Sequence, residues 1–391
     1  RQRLRSVLVF SQVALALMLL VGAGLMLRTV RGLLQVDPGF EGEGVVSFSM
    51  AAARGLEDPQ LFTFYDELLA RLGALPDVAS VGAVTHLPMA SLGAATSYFP
   101  VDRPEPEAGQ APVADIRVLR GDYLGTLGIP LLSGRAFDSR DRAGQEPGSI
   151  LISRAAAERH WPGDSAIGRE LRISWGDGGA RRVIGVVGDV HHADLLSPPR
   201  DAIYFPQDQE RERAMTVVLR TSRTLRDLAP DLRGVVTVLD PALPIYDLRR
   251  VDGVVSESLS KQRFLAAILG IFALLALSLA ALGIYGITAL SVHQSTREIG
   301  LRMALGASPW GVAGLFLRRT AVLTVSALAL GGVASVLLGR SVESLLFGVR
   351  ATDPVNLLGM ALLLAIAALI AALVPARRAA RLDPTVALRW E

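Results

Sequence analysis

Phe264-Leu-Ala-Ala-Ile-Leu-Gly-Ile-Phe-Ala-Leu-Leu-Ala-Leu-Ser-Leu-Ala-Ala-Leu-Gly-Ile-Tyr-Gly-Ile-Thr-Ala-Leu-Ser-Val292 is 29 residues without a charge. A helix needs about 20 apolar residues to cross a ~30 Å hydrocarbon core. At ~1.5 Å per residue this run extends about 43 Å, too short for two spans and long enough for one with a projecting end. Val251 to Arg263 is also helix-compatible, so the span is expected to continue outward as a rigid helix into the neighbouring domain.

Three further runs have the same character. Val7 to Leu27 gives 21 uncharged residues, Thr320 to Gly339 gives 20, and Val355 to Ala376 gives 22. The first could be a secretory signal peptide. Its length, the lack of a clear cleavage site and its continuation as Arg28-Thr-Val-Arg31 favour a span. The segment between runs one and two is of mixed composition. The chain as a whole has 51% hydrophobic and 20% charged residues, below the ~25% charge of an ordinary soluble domain. With a mean hydropathy of +0.39, it is neither disordered nor wholly soluble.

Composition also excludes chemistry. Cysteine is absent, which removes disulfides, thiolate metal sites and cysteine nucleophiles. Of 40 Lys and Arg residues one is lysine, Lys261, leaving 39 arginines. Lys261 follows Ser-Leu-Ser, with no glycine-rich loop, so the chain cannot form a P-loop and is not such an ATPase by itself. The isoelectric point near 9.6 suggests nucleic acid, but the net charge is only +3 and the arginines cluster beside the apolar runs. That is a membrane pattern, and no nucleic-acid partner is expected.

Four spans put both termini on one side, and the positive-inside rule chooses the side. The N-terminus (1–6), the 293–319 loop and the tail (377–391) carry Arg1, Arg3, Arg5, Arg297, Arg302, Arg318, Arg319, Arg377, Arg378, Arg381 and Arg389. The opposing 340–354 loop carries Arg340 and Arg350, offset by Glu343 and Asp353. Eleven arginines against two place both termini in the cytoplasm and residues 28–263 outside it, in a multi-pass protein of the plasma (inner) membrane. The expected order is spans at 7–27, 264–292, 320–339 and 355–376. In the third, Ala327, Gly331, Ser335 and Gly339 recur every four residues, a face on which another helix packs closely, either within the chain or in a dimer.

The external segment reads as α+β. Strand-like Val45–Met50, helix-like Pro59–Leu75 and strand-like Val78–Thr85 form one βαβ unit, around 45–85. Met215–Arg220, Leu225–Leu239 and Leu243–Leu248 form another, around 215–248. Two such units at the ends suggest a split, ferredoxin-like sandwich with a β-rich lobe inserted around 113–206. Leu171–Trp175 and Arg181–Val187 flank Gly176-Asp-Gly-Gly179, a hairpin signal. Ser153 to His160 reads as a short capped helix. The one polar cluster that could ligate a metal is Asp189-Val-His191-His192-Ala-Asp194. Adjacent histidines on a strand point to opposite faces, so a loop closing Val183–Val187 is the default and no metal site is expected. His86 and His160 have no acidic neighbour at ligand spacing, and no Gly-x-Ser-x-Gly elbow appears. No catalytic residue is expected.

Between spans two and three, Ser295 and Glu298 form a capping-box pattern, Gly306 suits a helix C-cap, and Ser308-Pro309 restarts a helix. A helix of about three turns is expected there, presenting Arg297, Glu298, Arg302 and the apolar Ile299, Leu301, Met303 and Leu305. It is short, contains Gly300 and mixes an acid with bases, which suits docking in a protein groove better than lying in a membrane surface. Arginines anchoring to lipid phosphates are the plainer alternative.

Arg297-Glu-Ile-Gly-Leu-Arg-Met-Ala-Leu-Gly306 resembles the signature loop of the FtsX/MacB-type permeases of the type VII ABC transporter superfamily. Pro375-Ala-Arg-Arg-Ala-Ala-Arg-Leu-Asp-Pro-Thr-Val-Ala-Leu-Arg389 resembles their ending. Gly128-Ile-Pro-Leu-Leu-Ser-Gly-Arg-Ala-Phe137, Trp161-Pro-Gly-Asp-Ser-Ala-Ile-Gly168, Val183-Ile-Gly-Val-Val-Gly-Asp-Val190 and Ile203-Tyr-Phe-Pro206 resemble the MacB-like periplasmic core domain. More narrowly, Gln12 to Met26 and Val36-Asp-Pro-Gly-Phe40 resemble the second half of duplicated acidobacterial-type orphan permeases. The chain opens on arginine rather than methionine, as expected of a fragment or second repeat, and equally of processing or trimming.

The resemblance implies an α-helical membrane protein with four transmembrane helices plus an inserted extracytoplasmic α+β domain. It implies a permease subunit, not an enzyme. In this family the loop helix is a coupling helix that docks on a separate cytoplasmic ABC ATPase, and ATP-driven motion is relayed to the external domain (mechanotransmission). Arg297, Glu298, Gly300, Arg302 and Gly306 would form the docking element. ATP and Mg would be bound by the partner ATPase, with no cofactor in this chain. Other implied partners are a second permease copy or fused repeat, the lipid bilayer and an extracytoplasmic protein. Efflux or export is the implied function. The alternative is an FtsX-like regulatory module acting on an outside partner such as a cell-wall hydrolase, and the large external domain favours transport.

Overall fold

In the computed structural model the described residues are 2–90, 93–107, 109–141, 144, 146–296, 301, 305, 308–341, 347–350 and 352–380. They fall into two units, Arg1–Gln35 with Ser260–Glu391, and Val36–Leu259.

The first unit is helical: α1 (Gln2–Leu33), α7 (Ser260–Gln294), α8 (Pro309–Ser341) and α9 (Pro354–Ala380). All four are long and apolar enough to cross a membrane. α1 is the central element: Val13, Ala16 and Leu17 are completely buried, in one cluster with Ala280 and Ile284 of α7, Ala327 of α8 and Leu364 and Ala368 of α9. The outer helices show large apolar side chains outward, among them Phe264, Leu274, Leu282, Val322, Leu358 and Leu362. Such a surface is stable only against hydrocarbon. Asp353 accepts the Val355 amide at 2.8 Å and so starts α9 with Pro354 at its first position.

The helices overrun the charge-free runs. α1 covers 2–33 rather than 7–27, α7 covers 260–294 rather than 264–292, α8 begins at 309 rather than 320, and α9 covers 354–380 rather than 355–376. A charge-free run measures hydrocarbon depth, whereas arginine is a good helix former whose stem snorkels to the interface. The expected outward continuation of the second span is corrected. α6 (Asp252–Ser258) ends at Leu259, whose φ of −90° and ψ of 0° leave the helical region, and α7 starts afresh at Ser260.

The second unit is α+β. β1 (Val45–Ala51), α2 (Asp58–Gly73), β2 (Val78–Val84), β10 (Ala214–Thr221), α5 (Leu225–Leu239) and β11 (Tyr246–Arg250) form a sheet in the order β11-β1-β10-β2. Each adjacent pair is antiparallel, so each βαβ crossover is split by a strand of the other. Val46, Phe48 and Met50 of β1 alternate with their neighbours and face Leu61, Tyr65 and Leu68 of α2 and Leu228 and Leu232 of α5. Thr224 caps α5, accepting the Asp227 amide. β11 starts three residues later than the apolar run Leu243–Leu248 indicates, because Leu243 and Ile245 are spent packing against the helices.

Between β2 and β10 lie β3 (Ala95–Pro100), β4 (Val113–Gly121), α3 (Tyr123–Thr126), β5 (Leu131–Gly134), β6 (Gly148–Ser153), α4 (Arg154–His160), β7 (Glu170–Ile173), β8 (Ala180–Val187) and β9 (Ala202–Pro206). The path β4-β3-β7-β8-β6-β9 returns to β4 through a parallel β9–β4 pairing, so six strands close into a ring. Closure removes exposed strand edges. Ile116, Val118, Ile150, Ile152, Ile203 and Phe205 share one buried cluster on one face of these strands. On the other face Leu119, Leu151 and Tyr204 join Val45 and Val218 of the first sheet. Arg120 ties the ring to α2: it is buried, pairs with Asp66 at 2.7 Å and Asp208 at 3.4 Å, and lies 5.5 Å from the Phe62 ring centroid.

Candidate functional site in the helical bundle

Arg297, Glu298, Gly300, Arg302 and Gly306, expected to form the docking element, lie outside the described residues, as do Ile299 and Met303. Their described neighbours frame them. The Ser295 amide donates to the Ser291 carbonyl at 3.1 Å, continuing the hydrogen-bond pattern of α7 one residue past its end. The Leu305 amide donates to the Leu301 carbonyl at 3.1 Å, the i to i+4 bond of a helical turn. Leu301 is 55% exposed and Leu305 81% exposed, two leucines on one face of that turn. Ser308 Oγ accepts the Gly311 amide at 3.1 Å and caps the start of α8. A hydrogen-bonded turn that leaves both leucines exposed among the described residues therefore lies in the chain between α7 and α8. Sequence reading named Leu301 and Leu305 as apolar positions but not as site residues.

Ala327, Gly331, Ser335 and Gly339 are all buried within the bundle. A Cβ on Gly331 would lie 2.9 Å from the Ala14 carbonyl oxygen and 3.1 Å from Ala14 Cα, so α1 of the same chain fills this part of the face. Ser335 Oγ donates to the Gly331 carbonyl at 2.7 Å, within its own helix. At the loop end, Thr288 of α7 and Thr320 of α8 bring their hydroxyls to 3.3 Å, and Arg378 donates to the Tyr285 hydroxyl at 3.3 Å.

The opposite end has a polar clamp that sequence reading missed. Asn356 Nδ2 donates to the Val21 carbonyl at 3.1 Å, buried between α9 and α1. Gly24 makes room for it: a Cβ there would lie 2.3 Å from Asn356 Oδ1. One turn along, Arg28 pairs with Asp353, and the Phe347 amide donates to Thr29 Oγ1 at 3.4 Å. The available signal was Asn356 itself, the chain's only asparagine, set inside a charge-free run where an amide must find a partner.

In the α+β unit the 189–194 cluster is structural. Asp189 accepts the Ala155 amide at 2.7 Å and Arg154 Nε at 3.0 Å, starting α4. Asp194 Oδ1 accepts the Leu196 and Ser197 amides. His191 Nδ1 sits 3.0 Å from the Asp194 carbonyl, and His192 Nε2 sits 3.2 Å from the Tyr204 hydroxyl. Burial first, then Arg117 and His191, hold the His192 pKa well below the ordinary histidine range, so its imidazole is neutral. No group of three His, Cys, Asp or Glu side chains with metal-holding geometry occurs among the described residues. A cleft of about 1220 Å³ opens between α2 and the ring, with Phe62 and Asp66 on one wall and Phe137, Asp138 and Arg181 on the other.

Two family models match. The MacB-like periplasmic core domain covers residues 7–235, more than half of the chain, and the FtsX-like permease C-terminal covers 270–384. The chain belongs to the FtsX/MacB-type ABC permease family. Its α+β unit is accordingly the extracytoplasmic core domain, and its four helices are those of a multi-pass membrane permease.

Relatives of this permease include the macrolide export ATP-binding/permease protein MacB of Marinobacter nauticus, 25% identical over 273 residues, covering 67% of this chain and 41% of that one. The pyoverdine export ATP-binding/permease protein PvdT of Pseudomonas syringae is 24% identical over 358 residues, covering 85% of this chain and 52% of that one. The uncharacterized ABC transporter permease YknZ of Bacillus subtilis is 24% identical over 290 residues, covering 71% of this chain and 70% of that one. The permease thus spans about half the length of the first two relatives.

Proposed function

We propose that this chain is the permease subunit of an exporter, coupling ATP hydrolysis on a separate cytoplasmic ABC ATPase to motion of its extracytoplasmic domain. The observation that carries the reading is the exposed Leu301–Leu305 turn between α7 and α8. An exposed apolar pair one helical turn apart, in a stretch of sequence rich in arginine at one end of an apolar bundle, has the makings of a helix-in-groove anchor. Arg297, Glu298, Gly300, Arg302 and Gly306 lie in the same segment and would supply its charged contacts and its turns. The arginine excess at this end supports a cytoplasmic position for the turn and for both termini.

ATP and Mg are held by the ATPase, and this chain supplies no cofactor site. Two FtsX/MacB-type units act together, as a second copy or as a fused repeat. Relatives named as macrolide and pyoverdine exporters support export as the direction of work. The four-helix bundle, centred on α1, transmits the motion, and substrate or an extracytoplasmic partner protein is handled by the outer domain.

The test is reconstitution of the chain in lipid with each candidate ABC ATPase of the same genome, scoring complex formation and ATP turnover. Leu305→Asp and Glu298→Arg, each shown to fold by circular dichroism, should abolish binding and the change in turnover produced by the wild type. If no such ATPase binds, or both variants behave as wild type, the segment is a membrane anchor and the coupling reading is wrong.

A further inference from the structure

The loop-bearing end of the bundle also holds a half-open crevice of about 70 Å³ between α1, α7 and α8. One buried water needs only ~10–15 Å³, so this space admits a larger group. Among the described residues its charged lining is Arg5 from α1 and Arg319 from α8, with no Asp or Glu. Among the described residues neither arginine makes an ion pair. Two guanidinium groups from spans more than 300 residues apart in sequence therefore line one space, with no carboxylate of the described residues between them. Hydroxyls of Thr288, Ser291 and Thr320 border it; Thr288 donates to the Ile284 carbonyl at 2.8 Å and lies 3.3 Å from the Thr320 hydroxyl.

Apart from Ser6 and Gln294, the rest of the lining is apolar, Val9, Ile284, Ile287, Phe316 and Leu323 among it. A soluble anion would satisfy the arginines and leave those side chains facing water. A ligand with a negative head and a hydrocarbon tail satisfies both. The level is right as well, because the apolar run of α1 begins at Val7 and that of α8 at Thr320, each within two residues of the lining arginine. That is headgroup depth for a span of this length. Arginine's planar fork matches a phosphate oxygen pair better than a point charge does.

We propose that this crevice binds one anionic phospholipid, its phosphodiester held by Arg5 and Arg319 and the start of its acyl chain lying on Val9, Ile284, Phe316 and Leu323. The site is independent of ATPase docking, and its test needs no ATPase. The full chain in detergent is titrated with phosphatidylglycerol, with phosphatidylcholine of the same acyl chains, and with inorganic phosphate, and bound lipid is read by native mass spectrometry. Wild type should hold one phosphatidylglycerol in preference to phosphatidylcholine. Arg5→Gln with Arg319→Gln should weaken that binding roughly thirtyfold, at about 1 kcal/mol per arginine. Leu323→Trp, which fills the space without touching charge, should weaken it too. Arg318→Gln with Arg377→Gln removes as much charge from basic stretches next to spans but from outside the crevice, and should bind as wild type does. The proposal is overturned if the two lipids bind alike or if the crevice variants keep phosphatidylglycerol. It is equally overturned if the outside pair loses as much, which makes the effect a diffuse basic surface, or if millimolar phosphate displaces the lipid, which makes it a soluble-anion site.

Discussion

Replacing Gly331 by alanine measures whether the small-residue face of α8 belongs to this chain or to a second copy. The added Cβ would meet Ala14 O at 2.9 Å, Ala14 Cα at 3.1 Å and Leu17 Cβ at 3.3 Å. The first two are backbone atoms, so no rotamer change relieves them, and α1 must move away by roughly half an ångström along part of its length. Overpacking of this kind costs about 1–3 kcal/mol, while alanine's better helix propensity returns about 1 kcal/mol. The expected net is a loss of about 1 kcal/mol. Gly286 in α7 is the control: a Cβ there meets nothing within 4 Å, so Gly286→Ala should stabilise by up to about 1 kcal/mol. The two substitutions should therefore differ in sign. Reversible unfolding in mixed micelles followed by circular dichroism reads the stability, and light scattering reads the oligomeric state. If Gly331→Ala leaves monomer stability unchanged, or matches Gly286→Ala while shifting the oligomeric state, then α1 does not fill this face and the contact is between copies.

Gly24 and Asn356 should be coupled in the same assay. Gly24→Ala collides with Asn356 Oδ1 and Asn356→Ala removes the bond to Val21, a contact class worth about 0.6–1.7 kcal/mol in membranes. The double variant should cost at least about 1 kcal/mol less than the sum, and additivity would refute the clamp. Arg120→Met should loosen the ring from α2 by about 1 kcal/mol, a modest figure because Asp66 is 69% exposed and rehydrates readily; protection of β4 amides from hydrogen exchange checks it, and unchanged protection counts against the tie. Acid should weaken the α+β unit through its histidines. Burial, assisted by nearby arginines, lowers the pKa values of His86, His160 and His192, so the unfolded chain takes up protons near pH 6.5 that the folded chain does not. Their contribution is complete above about pH 6.5 and falls as the pH drops toward the lowered folded values, by up to about 1.4 kcal/mol per pH unit for the buried His192. Thermal scans of the full chain between pH 7.5 and 5 check this, with a shallower slope expected for His192→Phe; a rise in stability on acidification would contradict it.

Much of the fold was legible because membranes and sheets impose simple periods. A charge-free run of about 20 residues has few alternatives to a spanning helix, and the βαβ patterns at 45–85 and 215–248 carried the split sheet. Element ends were less legible. α8 starts eleven residues before its apolar run because Arg318 and Arg319 cost a helix nothing once their stems reach the interface. β11 was misplaced because Leu243 and Ile245 pack on the helices without pairing. At the candidate site, the loop motif drew attention to charged residues. The exposed pair Leu301 and Leu305 emerged only once a hydrogen-bonded turn put both on one open face.

By itself, the amino-acid sequence determined the number of spans, the α+β character of the inserted domain, the absence of P-loop and cysteine chemistry, and the place of the loop between spans two and three. Each follows from local composition, which solvent transfer energies and backbone geometry read residue by residue. Only tertiary structure decided that six strands close into a ring, that α1 rather than another chain fills the Gly331 face, that Asn356 reaches Val21, and that Arg5 and Arg319 line one crevice. Those facts join residues far apart in the chain. No local period encodes them, because the free energy that selects them comes from packing and polar satisfaction among groups that meet only after folding.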